Sequence, residues 1–327
     1  MTALSRLSLL GLLLLGTLVM AVGIGAVPIG AREAFDAARG VGDQSTVAIV
    51  QNLRLPRVTL AALVGAGLAA SGATFQALLR NPLAEPYILG VSGGAAVGAV
   101  GAILLGFTAV AWAIPLAAFA GALVAILLVL RIAISVGGVM DTRVLLLSGV
   151  VVGAFFNACI LLALTFSDTE SFRSAMFWMM GSFSGATWRG SAILAAYLLP
   201  ALIVLLALAR PLNLLSIGEE TAGYLGISLE RTKMLAFGTA SLLAASAVAV
   251  SGVIGFVGLI VPHVIRITWG NDYRFLIPAS ALLGAAFLVA TDAIARTAAA
   301  PNEIPIGVVT AFIGVPFFLW LLRRRGA

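Results

Sequence analysis

Val58-Thr-Leu-Ala-Ala-Leu-Val-Gly-Ala-Gly-Leu-Ala-Ala-Ser-Gly-Ala-Thr-Phe-Gln-Ala-Leu-Leu79 runs for twenty-two residues without a charge, and an arginine stands at each end, Arg57 and Arg80. About 20 apolar residues cover the roughly 30 Å hydrocarbon core of a bilayer. A charge at mid-bilayer costs on the order of 2.5–3.5 kcal/mol on insertion scales, so charges mark the ends of spans. The same rule cuts the rest of the chain. The other charge-free intervals are Leu7–Ala31, Pro86–Leu130, Val144–Ser167, Ser174–Trp188, Ser191–Ala209, Met234–Ile265, Phe275–Thr291 and Ile304–Leu322. Pro86–Leu130 is long enough for two spans bent near Gly106–Pro115, and Met234–Ile265 divides around Ser251–Gly258. Ser174–Trp188 is short and aromatic-rich, and reads as an interfacial helix. Ten spans are predicted, near 4–27, 57–79, 89–107, 112–131, 143–166, 190–209, 233–252, 256–270, 275–295 and 305–322.

Composition agrees. Of 327 residues, 61% are hydrophobic and only 10% charged, with a mean hydropathy of +1.14. A soluble domain carries about 25% charged residues. This chain has too few charges to clothe a water-facing surface. An all-α integral membrane protein is expected, as one transmembrane domain over residues 1–327. The net charge of +6 comes from basic residues scattered singly between apolar blocks, so it speaks for membrane topology and against a nucleic-acid partner. With both termini inside, twelve basic residues fall on the cytoplasmic side, Arg323 to Arg325 among them, and seven outside. That bias predicts cytoplasmic termini. The apolar run from Leu7 to Val27 exceeds the roughly 7–15 residues of a signal peptide's apolar region, so a retained first helix is expected. Cys159 is the single cysteine, which excludes an internal disulfide and a thiolate metal site.

Lipid gives helices no hydrophobic drive to associate, so small residues set their packing. Gly90, Gly94, Gly98 and Ala102 form one stripe; Gly65, Ala69 and Ala73 form another. Both read as faces for close helix contact.

An ATP-hydrolysing chain needs a P-loop. The only lysine, Lys233, lies between Thr232 and Met234, and no P-loop exists. A secondary transporter couples through ionisable groups inside its bundle. By the charge cuts only Asp292 falls within a span, one turn from Arg296, as an i, i+4 pair. The drive is therefore expected from a separate ATPase. The segment Arg210–Lys233 offers a place for one. Ser216-Ile-Gly-Glu219 has capping-box spacing, Glu219 and Glu220 suit a helix's first turn, and Gly226 can end it. Ser228 can begin a second short helix before Arg231 and Lys233.

Longer motifs add a resemblance. Leu53-Arg-Leu-Pro-Arg57, Gly65-Ala-Gly-Leu-Ala-Ala-Ser-Gly72, Gln76-Ala-Leu-Leu-Arg-Asn-Pro-Leu-Ala-Glu-Pro86, Gly90-Val-Ser-Gly-Gly94, Trp178-Met-Met-Gly181, Gly218-Glu-Glu-Thr-Ala222, Gly255-Phe-Val-Gly-Leu-Ile-Val-Pro-His263 and Glu303-Ile-Pro-Ile-Gly-Val-Val-Thr310 follow one another in order. They resemble the FecCD-type permeases, membrane subunits of ABC importers for iron-siderophores, haem and vitamin B12. The resemblance implies a type II importer architecture of about ten helices. It also implies a second permease copy, two cytoplasmic ATPase subunits that use Mg-ATP, and an extracytoplasmic binding protein, in a bacterial or archaeal plasma membrane. The chain itself is expected to catalyse nothing and to hold no cofactor or metal.

By the same resemblance, the ATPase-coupling loop comprises Ser216, Gly218, Glu219, Glu220, Ala222, Gly223, Leu225 and Gly226. Arg54, Arg57 and Arg296 match arginines that meet carboxylates on the binding protein. Asn81, Leu83, Asp141 and Thr142 match the cytoplasmic gate. Asn81-Pro-Leu83 must also turn on physical grounds, since Pro82 cannot continue a helix and restricts Asn81. The aromatic and Met-rich stretch Phe172–Trp188 reads as a headgroup-level belt, matching a short helix beside the pathway mouth. His263, the sole histidine, lacks metal-ligating neighbours and is expected to make a structural hydrogen bond. For the substrate, an iron chelate (siderophore or haem) is expected first. Trp178-Met-Met-Gly181 is like the vitamin B12 branch. An ion-coupled secondary transporter is the alternative of another class.

Overall fold

The computed structural model describes residues 2–25, 27–137 and 140–325; the side chains of Leu322, Arg324 and Arg325 lie outside the described set. The described residues are all-α: α1 (Ala3–Gly23), α2 (Ala31–Ala38), α3 (Gln44–Ala48), α4 (Leu55–Leu78), α5 (Val91–Leu104), α6 (Ala113–Gly137), α7 (Thr142–Thr165), α8 (Thr169–Met179), α9 (Trp188–Ala207), α10 (Ala209–Ile217), α11 (Glu219–Tyr224), α12 (Leu229–Ser251), α13 (Val257–Trp269), α14 (Tyr273–Ala295) and α15 (Ile306–Arg325). Seven apolar helices are long enough to cross a membrane, and α5, α13 and α15 are shorter apolar ones. These ten coincide with the ten predicted spans. The bend expected at Gly106–Pro115 lies between α5 and α6, and α8 is the short helix read from the aromatic stretch.

The opening stretch is the central post. Every residue from Val64 to Leu79 is buried, and α4 packs on α14, α12, α13 and α9. Small residues bring the backbones together as their stripes predicted. A Cβ on Gly65 would stand 2.2 Å from the Gly284 carbonyl oxygen, and one on Gly72 only 1.9 Å from that of Gly258. On the α5 stripe, a Cβ on Gly98 would lie 2.0 Å from the Ala117 oxygen of α6. Larger side chains complete the post: Phe75 meets Phe237 of α12 edge-on at 6.1 Å. Ser71 donates to the Ala240 carbonyl at 2.7 Å.

Direction follows from contacts near the helix ends. Arg6 of α1 lies over Phe275 at the start of α14, while Arg296, just past the end of α14, bonds Ala21 near the end of α1. The two helices run parallel, so the N-terminus and the start of α14 share one end of the bundle. That end also carries Lys233; the other carries Arg57. From Glu303, bonded to Arg57, the chain enters α15 and returns toward the Lys233 end. Both described termini share that end, as an even number of spans requires.

Two expectations for the 210–233 segment are corrected. Ser216 caps nothing: α10 continues through Ile217, and the Ser216 hydroxyl donates back to Asn213 at 2.7 Å. A hydroxyl in a helix's last turn finds the carbonyl one turn earlier more readily than an amide ahead. Ser228 begins the long helix α12 rather than a second short one, because the apolar run beyond Lys233 continues the helix into the core.

The close approach of α5 to α6 gives a direct test. Gly98→Leu should cost about 1–3 kcal/mol or more through overpacking and lower the thermal transition of the purified protein. Gly101→Leu on the same helix, where a Cβ meets nothing within 4 Å, should leave that transition nearly unchanged.

Candidate functional site

At the Arg57 end, four charged groups form one network, with Arg54 close by. Arg57 reaches Asp292 through Nε at 3.0 and 3.1 Å and Nη2 at 2.9 Å. Its outer edge holds Glu303, with Nη1 and Nη2 at 2.8 and 3.0 Å. Arg296 stands 3.5 Å from Asp292, the expected i, i+4 pair. Arg296 also donates to Ala21 at 2.7 Å, and Arg54 donates to Val22 at 2.7 Å, Gly23 at 3.0 Å and Val27. The Ala21, Val22 and Gly23 carbonyls belong to the last turn of α1, where positive charge is favourable, and Val27 follows just beyond it. The structure therefore buries Arg54 and Arg296 and places them behind Arg57. Asp292 holds the centre, with 1% of its side chain exposed against 42% for Glu303. Sequence spacing could not reveal that Arg57 meets Asp292, because 235 positions separate them.

At the Lys233 end, residues expected to couple and residues expected to gate come together. Lys233, 3% exposed, donates to Glu219 in the first turn of α11 and to the Met140 carbonyl at 2.8 Å. Glu219 also accepts from Thr142 at 3.3 Å and Arg80 at 3.5 Å. Thr142 donates to Leu78 at 3.4 Å, at the foot of α4. Asp141 caps α7, accepting from the Arg143 and Val144 amides at 2.7 and 3.3 Å. Those amide bonds, led by Arg143, hold its carboxyl below the usual range. Asn81 accepts from the Leu83 amide at 2.9 Å, closing the expected turn, and Leu83 is exposed. Ala222 is buried beneath α11 while Glu220, Gly223, Tyr224, Leu225 and Gly226 face outward.

Between the two ends the chain breaks. α12 stops at Ser251, and residues 252–256 cross without helix before α13 starts. The break sits at the level of Leu68 and Gly72, midway along α4, since a Cβ on Gly258 would stand 2.9 Å from the Leu68 oxygen. Its amides need partners within the protein. Glu85 supplies one, accepting from Phe256 at 2.6 Å, and the Tyr87 hydroxyl accepts from Ile254 at 3.3 Å. The reading that only Asp292 lies inside the bundle is thus corrected: the turn after α4 re-enters it and carries Glu85 inward. Gly252, at φ 69°, lets this segment pass the end of α8, where a Cβ would stand 2.2 Å from the Trp178 oxygen. Backbone bonds then join Ser182 to Ser251, Ile306 to Gly181 and Gly307 to Met180. A cavity of about 530 Å³ opens on this junction, lined by Phe177, Trp178, Ser251, Gly252, Glu303 and Pro305 among others. Of the aromatic stretch, Phe172, Phe177 and Trp188 are exposed as a belt requires, whereas Phe183 is buried. His263 is fully buried against Phe317 and Phe318.

The sequence model of the FecCD transport family matches residues 12–324. The chain belongs to that family. It is 49% identical over 286 residues to the cobalamin import system permease protein BtuC of Halobacterium salinarum, covering 88% of this chain and 76% of that protein. It is 44% identical over 289 residues to the vitamin B12 import system permease protein BtuC of Escherichia coli, covering 87% of each. A solved structure described as an inward-facing, metal-chelate type ABC transporter superposes with a TM-score of 0.87 at 34% identity, covering 97% of this chain and 98% of that one. The protein is thus an ABC importer permease of the FecCD type, a multi-pass membrane subunit and not a catalytic one.

The Arg57 network predicts a graded response in this permease. Asp292→Ala leaves Arg57 and Arg296 without their buried partner and should cost about 3–5 kcal/mol. Glu303→Gln removes an exposed partner and should cost under about 1 kcal/mol. Thermal unfolding of the two purified variants, compared with wild type, measures both.

Proposed function

We propose that this permease carries a corrinoid, cobalamin, across the plasma membrane, driven by ATP hydrolysis on a separate subunit. The observation behind this reading is the 49% and 44% identity to two permeases named for cobalamin import, over nearly nine-tenths of the chain. Cobalamin is itself a metal chelate, so the metal-chelate type of the structural neighbour agrees with it. The Lys233 end is taken as cytoplasmic, in line with the excess of basic residues there.

The geometry suits the partners that such an importer uses. Ile217, Tyr224 and Leu225 stand 70%, 91% and 60% exposed around α11. An apolar knob beyond the spans suits a groove on a cytoplasmic ATPase, with Mg-ATP bound by that partner. α7 leaves Leu147, Val150, Val151, Phe155 and Leu161 uncovered, a face for a second permease copy. Asn81, Leu83, Asp141 and Thr142 then gate the inner end.

Outside, Arg57 is the docking contact for an acidic side chain of the binding protein. Such a carboxylate exchanges for Glu303, while Arg54 and Arg296 hold the mouth in place behind it. Charge-assisted contacts of this kind steer association and fix register.

Reconstitution separates the classes. With its ATPase and binding protein in proteoliposomes, the permease should accumulate radiolabelled cyanocobalamin only when ATP is supplied. Uptake by the isolated chain under a pH gradient would make it a secondary transporter. Uptake of a ferric siderophore or haem, with cyanocobalamin excluded, would move the substrate to the iron chelates.

A further inference from the structure

The segment between α4 and α5 is bonded at its start to the coupling helix and at its finish to the break inside the bundle. At the start, Arg80 and Glu219 meet at 3.5 Å. The single Thr142 hydroxyl proton lies within reach of both the Leu78 carbonyl and that same carboxylate, which buried Lys233 holds in turn. At the finish, Glu85 and Tyr87 accept the Phe256 and Ile254 amides. The stretch between is short and stiff. Asn81 closes a turn onto the Leu83 amide at 2.9 Å, and the Ala84 amide bonds the Asn81 carbonyl at 3.0 Å. Pro82 and Pro86 fix their own backbone angles, and the Pro86 ring lies against Gly258. From inside α4, the buried Gln76 amide donates to Ala84 at 3.4 Å and to Gly258 at 3.3 Å.

We propose that residues 78–87 form a strut, held by Glu219 at one end and by Glu85 and Tyr87 at the other, which carries movement of α11 to the backbone at 252–256. Glu85 and Tyr87 are positioning residues: they touch the break, whose Gly252 lines the cavity beside α8 and whose Val253, Gly255 and Phe256 line a second one, of about 660 Å³, against α15. A charge pair anchors the coupling end because its members cannot part cheaply. If α11 shifts, Glu219 either draws Lys233, Thr142 and Arg80 with it or leaves a buried ammonium short of its carboxylate. Amide bonds anchor the inner end because an unpaired amide there has no water to turn to. The strut rests on the proposed function only for what moves α11; the linkage between its ends is a property of this chain alone.

A thiol reporter on the isolated protein therefore tests it. In a Cys159→Ser background, Val253→Cys places a thiol on the 252–256 segment, and its rate of maleimide labelling reads the state of that wall. Glu219→Gln should change the rate about threefold or more, the size of a coupling term within one bonded network. The same substitution should change nothing once Glu85→Leu or the milder Tyr87→Phe has cut the inner end. It should act again with Glu85→Gln, whose carbonyl oxygen still accepts the Phe256 amide. A Ser45→Cys reporter, exposed on α3 at the Arg57 end and away from both cavities, should stay constant throughout, which separates transmission from loosening of the fold. An equal Glu219→Gln effect with and without the Tyr87→Phe cut, or no effect in the uncut protein, overturns the strut. Neither result depends on an ATPase or on cobalamin, so failure to transport in the reconstituted system bears on the proposed function and leaves the strut standing.

Discussion

A backbone that leaves its helix inside a lipid-embedded bundle must find every hydrogen-bond partner within the protein, because no water stands ready to supply one. The break at 252–256 is the place where this chain meets that demand, and much of the surrounding structure answers it. Glu85 and Tyr87 bond its amides, and the Ser251 carbonyl takes the Ser182 amide. Gly252 and Gly181 allow the neighbouring backbones close enough for such bonds to form. α13 can then be short, starting halfway along α4 and running to the Lys233 end. A straight helix through this region would be simpler to stabilise but would leave no irregular wall on which a cavity could open.

The scarcity of charge sets the second pattern. Several of the chain's few ionised groups near the spans are held within the protein instead of facing outward. Asp292 draws Arg57 and Arg296 together, and Arg54 and Arg296 terminate α1. Glu219 gathers Lys233, Thr142 and Arg80. Buried pairs of this sort are poor sources of net stability, since desolvation offsets most of the attraction, yet losing one member is expensive. They behave as fixed nodes. A permease whose walls are largely apolar has few directional contacts with which to define a geometry, and these nodes supply them at both ends of α4.

Much of this was legible in the sequence because one physical rule, the cost of charge in lipid, acts on every span alike. It located α4 from Arg57 and Arg80 and found the divisions between α5 and α6 and between α12 and α13. The glycine stripes announced the contacts of Gly65, Gly94 and Gly98. The same rule failed at Glu85. It assigns every charge to the end of a span, whereas a proline-bounded turn folds this one back to mid-depth. The Asp292–Arg296 pair was legible from its spacing, but the long-range ion pairs escaped notice, because Arg57 and Asp292, or Arg80 and Glu219, become neighbours only after the helices have packed. Ser216 shows the opposite error: its spacing to Glu219 suggested a cap, but helix α10 claimed it first. Of the site residues brought forward by resemblance, Glu219 and Thr142 proved to be in contact. Arg54 and Arg296 turned out to be buried behind Arg57.

The two ends of the bundle differ in a way that bears on how work reaches the cavity. At the Arg57 end the partners are two carboxylates of unlike exposure, so the outer one can be exchanged without disturbing the inner. At the Lys233 end a single carboxylate on a short surface helix serves three donors, so its movement pulls on Lys233, Thr142 and Arg80 together. One end is therefore suited to recognising a partner, and the other to being moved by one. Between them stands α4, buried from Val64 to Leu79 and locked to α14 and α13 at near-contact backbone distances. On the proposed function, a chain without a P-loop that carries a buried post from end to end and exposes an apolar knob beside its buried lysine is suited to receive motion at that knob. What the cavity wall does in response then depends on the few bonds that Glu85 and Tyr87 make to it.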